Sequence, residues 1–184
     1  MTGDVVDLIM ADHREVERLF EELKQYPEKR PLLVPVVSAM LMAHSRAEEA
    51  EVYPVARAEA HEAEEVAHGQ HEHEEAEELL MKLTEADPRS PQFDTALQKL
   101  VDAVTHHVEE EESTVLPGMK RQLDEARRQQ LGTAFAASRA AHLGDRPGHA
   151  SKAELEFQAG NVGITGASSM GKDELARALK ASAS

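Results

Sequence analysis

The residues of this chain best suited to chemistry are histidines and glutamates that recur in one pattern. The pattern H-x-x-x-E-E-x-x-V-[YL]-P occurs at residues 44–54 and again at residues 107–117. On a helix, the histidine and the first glutamate lie one turn apart on the same face, so both side chains can bind one metal ion or a bridged pair of ions. A single His-x-x-x-Glu spacing is common in helices, but two copies of the longer pattern are not expected by chance. The repeat therefore indicates a metal site.

Four helices are needed to position these groups, and the apolar periodicity of the sequence predicts them. Apolar side chains recur at alternating three- and four-residue steps in four segments, each long enough for a helix of several turns. Pro31 and Pro91 suit the first turns of the second and fourth helices. Val52 and Val115 each fall one residue off the apolar seam of their helix. An all-α fold, an antiparallel four-helix bundle, is predicted.

Polar residues interrupt the apolar seams of all four predicted helices. They are His13, His44, Glu48, His73, His107 and Glu111. Histidine and glutamate are costly to bury unless a partner satisfies them. A metal centre removes that cost, because neutral imidazoles and carboxylates then become ligands. We therefore expect these side chains to bind metal in the core of the bundle.

The donor atoms of this set limit the choice of metal. The chain has no cysteine, and nitrogen and oxygen donors suit iron, manganese or zinc better than magnesium or calcium. Four-helix bundles with inward-facing Glu and His commonly enclose paired iron or manganese. One tetrahedral zinc ion would leave two ligands unexplained. Two non-haem iron ions bridged by carboxylates are the predicted cofactor, and manganese and zinc are the alternatives.

The carboxylates beside these residues are predicted to form a solvated acidic face; they are Glu49, Glu51, Glu109, Glu110 and Glu112. Glu112 is the most suitable spare ligand, because a slight rotation of the helix would bring it inward. Tyr53 is expected to pack or to form a hydrogen bond near a helix end, with a phenolate ligand as the alternative.

The remaining histidines lie off the seams. His61, His68 and His71 are predicted to be solvated, with a weak surface metal site as the alternative. His106 points about a hundred degrees away from its neighbour His107, which places it behind the ligands or on the surface. His142 and His149 fall outside the predicted bundle and carry no argument.

Composition narrows the class of protein further. The chain of 184 residues suits one domain with an appendage. Its net charge of −15 argues against nucleic acid or an anionic membrane as a partner, since either would require a basic face. A signal-peptide pattern is not visible, and no apolar run is long enough to cross a bilayer. The chain is predicted to be cytoplasmic.

The chain resembles the hemerythrin-like, or HHE cation-binding, family over roughly residues 1–131. The resemblance rests on Asp12-His13, on the two repeated segments and on the acidic, histidine-containing run at 72–75 that opens a leucine-rich third helix. It implies an up-down-up-down bundle around a non-haem di-iron centre. The four seam histidines would be terminal ligands, and Glu48 and Glu111 would bridge the irons.

The sequence departs from the oxygen-carrying hemerythrins at two places. Those proteins have H-x-x-x-H on the third helix, whereas Gly69 stands one turn before His73 here. They also have H-x-x-x-x-D on the fourth helix, where this chain offers H-x-x-x-E through Glu111. Fewer histidine ligands leave more open coordination, which disfavours reversible oxygen carriage.

These observations predict an organisation and a function. Residues 1–143 are expected to form the hemerythrin-like bundle and one following helix, and residues 144–184 a linker and a short, flexible helical tail. The expected function is to bind or react with oxygen, peroxide or nitric oxide. A peroxidase- or catalase-like enzyme and a metal-dependent sensor are the alternatives; the sequence does not indicate a protein partner.

Overall fold

The computed structural model describes residues 3–182, and within them it is helical without any strand. The helices are α1 Val5–Gln25, α2 Arg30–Ala47, α3 Tyr53–Glu59, α4 Ala63–Glu85, α5 Pro91–Ser113, α6 Val115–Gln122, α7 Glu125–His142, α8 Lys152–Asn161 and α9 Lys172–Ser182. Single turns of 3₁₀-helix lie at Pro27–Lys29 and Ala167–Ser169, and a π-helical segment lies at Glu48–Val52. Among these helices, none is both long and apolar enough to span a membrane.

Helices α1, α2, α4 and α5 form the predicted bundle, which confirms the all-α fold class. Each of them contacts the next around a closed ring, α1 with α2, α2 with α4, α4 with α5 and α5 with α1. The apolar core is divided into two clusters. One is centred on Phe20, Leu80 and Phe93, and the other on Ile9 and Phe135. A polar layer separates the two clusters at about the same height on all four helices.

Both repeated segments end where a helix changes course. After α2 the chain widens into the π-helical segment Glu48–Val52. Helix α5 ends at Ser113, and the next residue, Thr114, has φ −121° and ψ −75°. A π-helical turn holds one residue more than an α-helical turn, so Val52 returns to the core and is fully buried. The break at Thr114 likewise brings Val115 into the core. This explains why both valines fall one residue off their sequence seams.

The proline that ends each repeat lies in the first turn of the helix that follows. Pro54 is in the first turn of α3, and Pro117 is in the first turn of α6. A first-turn residue does not need its backbone N–H for the helix. The pattern H-x-x-x-E-E-x-x-V-x-P thus encodes an inward pair of ligands, a local break and a new helix.

The segments after the bundle cover two different parts of it. Helix α7 packs against α1 and α2. Helices α8 and α9 form a hairpin around their own small core of Leu155, Ala159, Leu175 and Leu179. Helix α8, Lys152–Asn161, lies within the segment 144–184 that was expected to be a linker and a flexible tail. Helix α8 is attached to the bundle by the buried side chains of Gln158 and Asn161, which contact Glu49.

Candidate metal centre

The polar layer contains all six side chains that the sequence analysis singled out. Helices α1, α2, α4 and α5 supply one histidine each, Glu48 opens the π-helical segment and Glu111 lies one turn after the histidine of α5. None of the six residues is more than 7 % exposed. The structure therefore brings the predicted residues together in the middle of the bundle.

Five of these residues form two triads that share Glu48. In each triad, His13–His44–Glu48 and Glu48–His73–His107, potential ligand atoms lie within 4.8 Å of one another. The Oε2 atom of Glu48 lies 3.2 Å from Nε2 of His44 and 3.3 Å from Nε2 of His73. Two donors at right angles about 2.1 Å from one ion would be roughly 3.0 Å apart. The spacing thus suits two neighbouring ions with Glu48 between them.

Glu111 faces Glu48 from the opposite helix. Its Oε2 atom lies 3.3 Å from Nε2 of His13, the same distance that separates Glu48 from His73. Glu111 therefore adds a second carboxylate beside the first triad.

Six of the atoms that point into the layer lack hydrogen-bond partners among residues 3–182. Both carboxylate oxygens of Glu48, both of Glu111, and Nε2 of His13 and His44 are buried without one. Unsatisfied buried polar atoms are rare in folded proteins because each costs a large desolvation free energy. Their convergence on one small region fits cation binding, since a cation would satisfy all of them together.

The other ring nitrogen of each histidine meets a carboxylate. The Nδ1 atoms of His13, His44, His73 and His107 lie 2.9, 3.3, 3.3 and 2.9 Å from Glu112, Asp12, Glu49 and Glu72, respectively. A carboxylate at Nδ1 fixes the ring orientation and leaves Nε2 free for a metal. All four imidazoles are thus held with Nε2 facing inward.

The role of these four carboxylates was not predicted. Glu49 was expected on a solvated face, but it is only 3 % exposed and contacts Arg46, Gln70 and Gln158. Glu112 was the suggested spare ligand, yet its oxygen lies against Nδ1 of His13. The signal was present in the sequence, because each of the four carboxylates is adjacent to a site residue. Each, however, contacts the histidine of a neighbouring helix, and only the tertiary fold decides that.

These contacts repeat with an approximate two-fold symmetry. Asp12 on α1 contacts the histidine of α2, and Glu72 on α4 contacts the histidine of α5. Glu49 after α2 contacts the histidine of α4, and Glu112 on α5 contacts the histidine of α1. The centre consequently has two halves: the α1–α2 half and the α4–α5 half.

Helix α7 covers the α1–α2 half. The ring of Phe135 lies 5.9 Å from that of His44 in an edge-to-face contact. The guanidinium of Arg139 lies 2.6 Å from the carboxylate of Asp12. Both contacts close the outer side of this half.

The α4–α5 half borders a cavity of about 300 Å³. Its lining runs from the exposed His68 to His107 and Glu111 in the polar layer. A second, much smaller cavity of about 20 Å³ lies between the histidines and is lined by apolar side chains such as Val16 and Val104. A cavity of this size can hold one water-sized molecule.

Tyr53 occupies the space beside Gly69. A Cβ atom at position 69 would lie 2.8 Å from the Tyr53 hydroxyl oxygen, so a side chain there requires Tyr53 to move. The hydroxyl lies 3.2 Å from Nε2 of His73, and the two rings stack with centroids 5.3 Å apart. Tyr53 was expected to pack or to form a hydrogen bond near a helix end; it is the first residue of α3, and its hydroxyl reaches the polar layer. Burial, and then the charges of Glu48 and Glu111, raise the pKa of Tyr53 well above its ordinary value.

Two histidines of the layer have pKa values raised by the carboxylates around them. Burial alone would lower the pKa of His44, but the negative charge of Glu48 and the bond to Asp12 outweigh it and raise that pKa to about 10. The pKa of His73 is likewise raised to about 9, because contacts with Glu48 and Glu49 outweigh burial. The nearby histidines in turn hold the pKa of Glu48 well below its ordinary value, against the effect of burial. A cation that binds here must displace protons.

The other histidines lie at the surface or at its margin. His68 and His106 have mostly exposed side chains, and His71 is partly buried beside Glu74. His61 adopts a φ of 64° before α4. His142 contacts Asp145, and His149 is exposed.

The bundle directs histidines and glutamates inward from its helices, and a carboxylate lies behind each imidazole. This arrangement defines a carboxylate–histidine metal protein. The family model described as the hemerythrin HHE cation-binding domain matches residues 4–118. The chain belongs to this family, which confirms the resemblance seen in the sequence. It is a hemerythrin-like cation-binding protein.

One curated relative extends the comparison. A protein named DNA nickase from Nostoc sp. (strain PCC 7120) is 31 % identical over 138 residues, covering 74 % of this chain and 39 % of the relative. The chain therefore spans about two-fifths of the length of that relative. No solved structure matches the chain.

Proposed function

We propose that this chain is a non-haem di-iron protein that binds or reacts with oxygen, peroxide or nitric oxide. The observation that carries the proposal is the pair of buried triads that share Glu48. One carboxylate common to two sets of imidazoles is the arrangement expected for two metal ions held close together. His13 and His44 would hold one ion, His73 and His107 the other, and Glu48 and Glu111 would bridge them.

Iron is proposed because of the donors and the openness of the site. Nitrogen and oxygen donors without sulfur suit iron, manganese or zinc, and a paired site favours the redox-active metals over zinc. Two iron ions bound here would supply two electrons and free coordination positions for a small oxidant or diatomic ligand. The cavities beside the histidines supply space for such a molecule.

The protein side chains have definable roles in this proposal. The four carboxylates at Nδ1 keep the imidazoles oriented. Tyr53 excludes a fifth histidine from its side of the layer and places a hydroxyl donor next to His73. Apolar residues around the 20 Å³ cavity limit water at the centre.

The first experiment is to measure the iron content of protein from iron-supplied cells together with its ultraviolet and visible absorption. About two irons per chain with oxo-to-iron charge-transfer bands are expected. The variants His73→Ala and Glu111→Gln should lose the paired centre while far-ultraviolet circular dichroism shows an intact bundle. His149→Ala, which changes an exposed histidine, is the matched control. Two irons in both variants, or one zinc and no such bands in the parent protein, would refute the proposal.

A peroxidase- or catalase-like activity is the enzymatic form of the same proposal. The observation in its favour is the 300 Å³ cavity that leads to His107 and Glu111. Peroxide turnover by the iron-loaded protein, absent from the metal-free protein, is the expected sign. Equal turnover by both forms would exclude it.

A sensor function is supported by a different observation. Glu49 contacts His73 and, on its other side, Gln158 of α8, so a change at the centre can reach the α8–α9 hairpin. Iron loading should then alter the hydrogen-exchange protection of α8. Unchanged protection of α8 would count against a sensor.

The name of the Nostoc relative raises the further question of DNA cleavage. A net charge of −15 would repel a phosphate backbone, and the matched region is less than half of that relative. We therefore propose small molecules rather than nucleic acids or membranes as ligands, and a cytoplasmic location.

A further inference from the structure

A second group of possible ligands lies at the outer end of the 300 Å³ cavity. His68 and Glu72 are one turn apart on α4, and His106 and Glu110 are one turn apart on α5. Residues with this spacing share a helix face, and the two pairs face each other across the groove between the helices. Their potential ligand atoms all lie within 4.8 Å of one another.

The distances between these side chains are those of donors around one centre. Nε2 of His68 lies 3.1 Å from Glu110, and Nε2 of His106 lies 3.2 Å from the other oxygen of Glu110. The Oε1 atom of Glu72 is 3.6 Å from His68 and 3.7 Å from His106. The last two distances are too long for hydrogen bonds, yet both suit donors that surround a cation.

Glu72 provides an independent observation that a cation belongs here. Its side chain is 11 % exposed, and its Oε2 atom contacts His107. Its Oε1 atom is buried without a hydrogen-bond partner and points at the two outer histidines. A buried, unsatisfied carboxylate oxygen is costly, and a cation between His68 and His106 would satisfy it.

The approximate symmetry of the centre strengthens this reading. Asp12 is the counterpart of Glu72, and the guanidinium of Arg139 supplies positive charge to it. The ion pairs of Glu72 run instead to histidines. The α1–α2 counterparts of the outer residues are Leu8, Ala43 and Ala47, which cannot bind a cation. The α4–α5 half thus has ligands where the other half has an arginine.

We propose that His68, Glu72, His106 and Glu110 form a peripheral site for a divalent transition-metal ion. Two imidazole nitrogens with two carboxylates favour zinc, iron or a similar ion over magnesium or calcium. The partial exposure of the ligands makes this an exchangeable site, unlike the buried triads. It stands on its own residues and does not depend on which metal the buried centre holds.

The peripheral site is connected to the buried centre in two ways. His68, Glu72 and Glu110 line the cavity together with His107 and Glu111, so a cation that enters past the exposed His68 meets them before it reaches the polar layer. Glu72 also belongs to both sites, because one oxygen faces the outer histidines and the other orients His107.

The test is equilibrium dialysis of the iron-loaded full chain against zinc, with bound zinc and iron both counted by elemental analysis. The parent protein should bind about one more zinc per chain than the variant His68→Ala/His106→Ala, with no loss of iron. Both side chains are more than half exposed, so their removal should leave the fold intact. His149→Ala should behave as the parent does.

Two results would overturn the proposal. One is equal zinc binding by the parent and the double variant. The other is zinc uptake by the parent that is matched by loss of iron, because the zinc would then occupy the buried centre. Glu110→Gln, which keeps the shape of a half-exposed side chain, should lower the zinc affinity and gives a second variant with an intact bundle. Low iron in every sample would refute the di-iron proposal alone, since the zinc difference remains measurable.

Discussion

The two halves of the metal centre have the same inner residues and different surroundings. Each half supplies two inward histidines and one inward glutamate, with a carboxylate behind each ring. Helix α7 closes the α1–α2 half through Phe135 and Arg139, whereas the α4–α5 half borders a cavity and carries extra exposed histidines. The inner set is uniform because a metal imposes the same demands on both halves. The outer residues differ because α7 covers the α1–α2 half, whereas a cavity borders the α4–α5 half.

The two carboxylates that directly follow Glu48 and Glu111 in the sequence differ in the same way. Glu49 is buried among Arg46, Gln70 and Gln158. Glu112 is 23 % exposed and pairs with the exposed Arg14. The equivalent task of orienting a histidine is therefore done in a sealed network on one side and at the surface on the other.

The largest expected effect is at Glu48, the residue common to both triads. Glu48→Gln should remove both iron ions, from about two per chain to none, because Glu48 is common to both triads. Glu111→Gln should break the pair but keep one ion, because Glu111 belongs to neither triad. Iron per chain after gel filtration measures both. Glu51→Gln in the same π-helical segment is the control, and a Glu48→Gln protein that still holds two irons would contradict the shared role.

The next largest effect should distinguish the buried contacts of Glu49 from the exposed contacts of Glu112 by their contributions to stability. Arg46 is 2 % exposed and lies 2.9 Å from Glu49 and 2.7 Å from Glu77. Arg46→Met leaves buried carboxylates uncompensated and should lower the free energy of unfolding by about 3–5 kcal/mol. Arg14→Met, its counterpart beside Glu112, should cost about 0–1 kcal/mol. Urea unfolding of the metal-free proteins gives both values, and equal costs would show that the two networks do not differ.

Stability of the metal-free protein should depend on pH through both halves. His44 and His73 have pKa values raised from 6.5 to about 10 and about 9. Their stabilising contribution is present in full below pH 6.5 and is lost as the pH rises through 9 and 10. We expect the free energy of unfolding to fall by several kcal/mol over that rise, at about 1.4 kcal/mol for each unit by which a pKa is raised.

Urea unfolding in a chelator at a series of pH values measures this loss. Glu48→Gln should flatten the profile, because the charge of Glu48 raises both pKa values. A profile of the parent protein that is flat above neutral pH would contradict the assigned pairs.

The smallest expected effect concerns Gly69, whose place beside Tyr53 leaves no room for a larger side chain. Gly69→Ala would bring a Cβ within 2.8 Å of the Tyr53 hydroxyl and should cost about 2 kcal/mol through overpacking. Tyr53→Phe removes that oxygen, so the double variant should recover most of the loss. Thermal unfolding of the four proteins completes the cycle. Purely additive costs would show that the hydroxyl is not what excludes a side chain at position 69.

The sequence predicted the helices and the inner residues because both depend on local spacing. Apolar residues at steps of three and four define the buried face of a helix. A polar residue at such a position can therefore be recognised from the sequence. The one-residue displacement of Val52 and Val115 was visible as well, although only the backbone attributed it to a π-helical segment in one repeat and to a break at Thr114 in the other. Those features depend on residues close together in the sequence, so a single sequence is enough to predict them.

The tertiary structure alone decided which carboxylate meets which histidine. Asp12 lies next to His13 in sequence but contacts His44, and Glu72 lies next to His73 but contacts His107. Adjacent residues on a helix point about a hundred degrees apart, so such a neighbour faces the adjoining helix. The burial of Glu49 under α8 and the cover of Asp12 by Arg139 join residues that are distant along the chain. Spacing within one helix carries no information about contacts of that kind, because they depend on how the helices pack.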